Sequence, residues 1–156
     1  MKHFRTALLI GAIVLPACML VGCGGGAKQR SGIDQNIQNA KMFVKDLKEG
    51  FAAGQLEKKT EGAREGQARP DARMTILTFA IKDKIRATIQ KRETDAQKRD
   101  KALAQLKKSE DYLMNEIGPK YQEAVRTKKA EDIQALVPLM EELDKQLDEL
   151  NNILNS

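Results

Sequence analysis

The chain has 156 residues, 31% of them charged, 41% hydrophobic and only 4% aromatic, with no Trp and four Pro. That is room for one ordinary domain, and so few aromatic and turn residues argue against a multi-strand β protein. The formal net charge is +5, and the one histidine (His3) and both cysteines (Cys18, Cys23) fall within the first 23 residues.

The amino terminus reads as an address. Lys2 and Arg5 precede an apolar run from Ala7 to Val21, the basic start and apolar core of a secretory signal. The run closes on Leu20-Val21-Gly22-Cys23. This tetrapeptide resembles the lipobox of bacterial lipoproteins: an aliphatic residue, a tolerated one, Gly or Ala, then Cys. The resemblance covers residues 1–24. It implies that the Cys23 thiol takes a diacylglyceryl group, that a peptidase cuts before it, and that acyl chains then tether the protein to a membrane. Residues 1–22 are on this view a signal peptide, and 23–32 a lipidated, Gly-rich and flexible tether. Gly24 stands where an Asp tends to hold such proteins at the inner membrane, which implies the outer membrane facing the periplasm. Three other readings stay open. Cys18, behind Leu15-Pro16-Ala17, is the lipidated cysteine in place of Cys23, a poorer match because Pro sits at −2; the run is an uncleaved anchor, although shorter than the usual ~20 residues; or it is an ordinary cleaved signal.

Cleavage before Cys23 leaves 134 residues with 25 basic and 22 acidic side chains, no histidine, and Cys23 as the sole cysteine. That excludes disulfides, thiolate nucleophiles, Cys/His zinc sites and histidine acid–base chemistry. No catalytic residue, metal ligand or cofactor is nominated, and the expected role is non-enzymatic.

In chain order, Ile33, Ile37, Ala40, Val44, Leu47 and Phe51 step by 4, 3, 4, 3, 4, a heptad-type seam that predicts a helix over 33–53. Ser31 is a plausible cap and Gly54 a plausible stop. Residues 55–70 are polar and read as a linker or a frayed extension, ended by Pro70. Pro70-Asp71 suits the first turn of a second helix. Its stripe is Met74, Leu77, Ile81, Ile85 and Ile89, with Ile76 and Phe79 beside it. After a polar middle, apolar spacing resumes at Leu103, Leu106, Leu113 and Ile117, so 71–117 is one long helix or one that bends in that middle. Gly118-Pro119 is expected to break the chain. A short helix then spans 120–128, with Tyr112 and Tyr121 flanking the corner. The last helix, 130–154, carries Ile133, Leu136, Met140, Leu143, Leu147, Leu150 and Leu154, with a kink expected near Gln134 from Pro138. Glu141 and Lys145 form an i,i+4 pair. The fold class is all-α: an elongated bundle of coiled-coil-like hairpins, three to four helices behind a flexible lipidated start, with 33–156 a single helical domain.

Charge is unevenly placed. Residues 86–108 carry eight basic and three acidic side chains, and residues 130–154 seven acidic and one basic. Opposite charges flanking a shared seam would fold the last helix back on the second half of the long one. The alternative is that Lys91, Arg92, Lys98, Arg99 and Lys101 serve an anionic partner: lipid head groups, lipopolysaccharide, a peptidoglycan-linked polymer or another envelope protein. Nucleic acid is not expected, because the signal exports the chain and no aromatic interleaves the basic residues. The expectation is therefore a lipid-anchored helical envelope protein with a structural, scaffolding or interaction role. The alternatives are a coiled-coil homo-oligomer spanning part of the envelope, and an accessory module that presents its basic face.

Overall fold

The apolar seams of the chain close on one another in a computed structural model that describes residues 25–56 and 72–156, with side chains from residue 32 onward. Four antiparallel helices result, and no strand occurs among the described residues. Helix α1 is Gly25–Ala52. Helix α2 spans 72–92, helix α3 spans 96–127 and helix α4 spans 130–155. The leader, the tether residues 23–24 and most of the linker (57–71, with Pro70-Asp71) lie outside the described residues.

Every seam residue named for α1, and Met74, Leu77, Ile81, Ile85 and Ile89 of α2, is buried. So are all seven of α4. Helix α1 packs against α2 and α4, and α3 packs against the same two, so the four stripes share one core. Cross-links fix the directions. Asn36 Nδ2 donates to Thr88 Oγ1 (2.9 Å) and Arg73 Nη1 to the Asp46 carbonyl (3.3 Å), which sets α2 antiparallel to α1. Arg86 grips Glu110 with two hydrogen bonds, Nε to Oε1 at 3.2 Å and Nη2 to Oε2 at 2.5 Å, joining α2 to α3.

Several expected boundaries are corrected. Helix α1 starts at Gly25, so part of the expected tether is helical and Ser31 lies inside the helix instead of capping it. Once the Ile33 seam nucleates the helix, each added residue costs little, and Ala27, Lys28, Gln29 and Arg30 are good formers. At the other end the stop is as expected: Gly54 has φ 68°, its N–H bonds the Phe51 carbonyl (2.9 Å), and the Gln55 N–H bonds Gly50 (2.8 Å). That is a Schellman cap.

The 71–117 segment is two helices. Glu93 and Asp95 turn extended, and the Asp95 carboxylate accepts from the Lys98 N–H at 2.8 Å, capping α3. Gly118-Pro119, by contrast, does not break the chain. Residues Leu113–Ile117 form a π-helical turn, in which the Gly118 N–H reaches the Leu113 carbonyl, and α3 runs on to Thr127. The wider turn relieves the clash between a proline ring and the carbonyl four residues back. A second π segment, Ala80–Ile85, interrupts α2. Both fall where successive seam steps are four residues, as in Leu77-Ile81-Ile85-Ile89, a longer spacing than the α-helical 3.6.

Helix α4 breaks between Gln134 and Val137, ahead of Pro138, in agreement with the expected kink. The expected charge pairing runs elsewhere. Asp144 and Asp148 pair with Lys41, and Glu141 with Lys48 (3.8 Å), all on α1. Glu141 therefore does not pair with Lys145, whose amine lies 3.9 Å from Glu142. Toward α3, beside the shared apolar core, the polar contact is Gln105, whose Nε2 donates to Glu149 Oε2 at 2.8 Å and to the Gln146 carbonyl at 3.3 Å.

Candidate functional site

Two surfaces stand apart from this packing. The first is the end of the bundle bearing the α2–α3 turn. Lys91 and Arg92 close α2, and Lys98, Arg99 and Lys101 occupy the first two turns of α3. The reversal at 93–95 thus gathers at one end five basic residues that a continuous helix would have strung along its length. Lys91 and Lys101 are exposed, and Lys98 and Arg99 half-buried. Arg92 is engaged in the fold: its guanidinium lies against Gly32 of α1, where a Cβ would come within 2.0 Å of Nη1. Cys23 lies outside the described residues.

The acids of this turn are occupied with backbone. Glu93 is buried, and its Oε1 accepts from the Asp95 N–H at 3.0 Å. The hydrogen bond from the Lys98 N–H holds the Asp95 carboxyl below its ordinary pKa, aided by the Gln97 N–H and the Lys98 and Lys101 charges and opposed by slight desolvation.

The second surface is apolar. Met42, Ile76 and Phe79 are 58%, 44% and 51% exposed, high values for such large side chains. With half-buried Phe43 they line a groove of about 300 Å³ between α1 and α2, completed by Asn36, Asn39, Ala80 and Lys84. The Lys84 amine sits 5.6 Å from the Phe79 ring centroid, a cation–π contact. A neighbouring groove of about 370 Å³ between α1 and α4 is charged, lined by Lys41, Lys45, Lys48, Glu49 and Asp144 among others.

Sequence reasoning places Ile76 and Phe79 beside the stripe but does not single out the groove. Its signal is available: Met42-Phe43 and Ile76/Phe79 are apolar residues off the heptad positions of two neighbouring helices. The tyrosines do not form a pair at a corner. Tyr121 instead packs on Phe51, ring centroids 6.2 Å apart and tilted 48°.

Among the described residues no group of three or more His, Cys, Asp or Glu could hold a metal ion, and no helix is long and apolar enough to cross a membrane. The chain matches no protein-family model, and neither a curated protein nor a solved structure proves similar to it.

Proposed function

We propose that this chain is a lipid-anchored helical protein of the bacterial envelope, with a non-enzymatic scaffolding or interaction role. The observation that carries the proposal is Leu20-Val21-Gly22-Cys23 at the end of a basic-then-apolar leader. The chemistry left after cleavage supports it, since neither histidine nor a free thiol remains. Two or three acyl chains, at about 0.8 kcal/mol per buried CH₂, make a stable anchor. Localisation at the outer membrane, facing the periplasm, follows from Gly24 in the same resemblance.

An interaction role is supported by the exposed Met42, Ile76 and Phe79 of the α1–α2 groove, because clustered exposed apolar surface rimmed by polar residues marks contact sites. The partner chemistry it fits is an apolar segment of another envelope protein. The coiled-coil oligomer rests on the Leu seam of α4, and that seam is buried within the chain, so an oligomer would have to use another face.

The test is metabolic labelling with radioactive palmitate. Label in the wild type and none in Cys23→Ser is the expected result, and label retained in the serine variant, or never present, sinks the anchor. Crosslinking in intact cells then addresses the groove: partners recovered with the wild type should fall away with Phe79→Glu.

A further inference from the structure

Topology brings the basic turn and the start of α1 to the same end. Gly32 lies against Arg92, and from Gly32 the helix runs back to Gly25, about 10 Å further along the axis. Lys28 and Arg30 are on that extension, and Cys23 precedes it by two residues. Lys91, Lys98, Arg99 and Lys101 stand at this end with the acids Asp34, Glu93, Asp95 and Asp100; Glu93 is buried on a backbone N–H, and Asp95 caps α3 and feels the Lys98 and Lys101 charges. The last turn of α4 contributes the neutral Asn151, Asn152 and Asn155; of the acids before it, Asp148 pairs with Lys41 and Glu149 accepts from Gln105.

We propose that this end is the membrane-facing foot of the protein, and that Lys91, Lys98, Arg99 and Lys101 are drawn toward the phosphates of anionic phospholipid headgroups. The inference rests on the reading of Cys23 as lipidated. An anchor alone lets the bundle swing. A basic foot about 10 Å from the start of α1, little more than a Debye length of about 8 Å at physiological salt, is drawn toward an anionic surface and biases the long axis upright. The apolar α1–α2 groove then faces sideways, clear of the lipid.

The experiment uses the lipidated protein reconstituted in vesicles. A fluorophore is placed at the foot through Thr94→Cys, or at the opposite end through Ala130→Cys, and a quencher is attached to lipid headgroups. Flotation with phosphatidylcholine vesicles, which carry no net charge, reports the anchor by itself. With phosphatidylglycerol added, the Thr94 label should be quenched well beyond the Ala130 label, and salt should relieve the difference. Each basic residue near an anionic surface contributes a factor of roughly five in binding. Reversing all four (Lys91→Glu, Lys98→Glu, Arg99→Glu, Lys101→Glu) should therefore abolish the difference while flotation persists. Should that variant lose its helical circular dichroism, salt titration of the unreversed protein separates the same two outcomes. Equal quenching of the two labels, stronger quenching at Ala130, or indifference to phosphatidylglycerol and salt in a protein that still floats would overturn the foot and leave the anchor standing. Failure to float with phosphatidylcholine would remove the anchor and the foot together.

Discussion

The Arg92 guanidinium occupies the space that a side chain on Gly32 would fill, with Nη1 2.0 Å from where a Cβ would stand. The contact ties the last turn of α2 to α1. It predicts coupling between the two positions. In an Arg92→Ala background, Gly32→Ala should stabilise by about 1 kcal/mol, the helix-propensity difference between the two residues. With Arg92 present the gain should shrink, because the guanidinium must move aside. A double-mutant cycle from urea melts measures the difference, and additivity would show that the contact contributes nothing.

The Asp95 cap predicts an acid dependence at the α2–α3 turn. Its carboxyl lies below the ordinary value of 3.8, chiefly through the hydrogen bond from the Lys98 N–H. A depressed carboxyl contributes stability that is fully present above its unfolded value and is lost as pH falls through the folded one. Asp95→Asn keeps an oxygen that can cap the helix, so it should fold normally at neutral pH but lack this part of the acid-induced loss. Thermal melts of the two proteins between neutral and acid pH check it. Identical pH profiles would contradict the expectation.

Lys41 gives the opposite sign. Burial lowers its pKa, yet the hydrogen bond to Asp148 and the charges of Asp144 and Asp148 outweigh this and leave it above 10.5. A raised lysine contributes stability that is present below its unfolded value and disappears as pH rises through the folded one. Lys41→Met should therefore cost about 1 kcal/mol or less at neutral pH, since the pair is partly solvated. The deficit should close in strongly alkaline buffer, as measured by chemical denaturation.

Phe51 closes the end of the core opposite the α2–α3 turn, fully buried and packed on Tyr121. Phe51→Ala should cost roughly 3–5 kcal/mol, with the transition midpoint in urea as the readout.

Lys128 ends α3 in the left-handed region, φ 54° and ψ 21°, with its N–H on the Ala124 carbonyl (2.9 Å). That conformation costs an L-residue about 1 kcal/mol or more, and glycine adopts it freely. Lys128→Gly should raise stability by up to about 1 kcal/mol in urea melts, whereas Gly54→Ala, at φ 68° and with its new Cβ 3.4 Å from Ala130, should lower it by a similar amount.

The core is legible because burial follows periodicity: the Ile33-to-Phe51 and Ile133-to-Leu154 seams can be read directly as the buried faces. Breaks are harder, because two local rules compete with longer patterns. Thr94-Asp95 ahead of Ala96 is a capping signal hidden in a polar stretch that continues the helical spacing. Gly118-Pro119 is a breaker overruled by an apolar row that persists on both sides, through Ile117 and Ala124. Partner choice among charges is beyond the sequence. Lys41 and Lys48 have no special mark, and α4 turns its acids toward them because α1 is its other neighbour. The five basic residues can be named from the sequence, but not gathered, since gathering them requires the turn at 93–95.

An even number of antiparallel helices returns a chain to the level at which it set out. Residue 156 therefore emerges beside the beginning of α1, far from the Lys128–Lys129 corner. A reporter fused after Ser156 would be crowded against the start of α1, and one meant to project away from it belongs between α3 and α4.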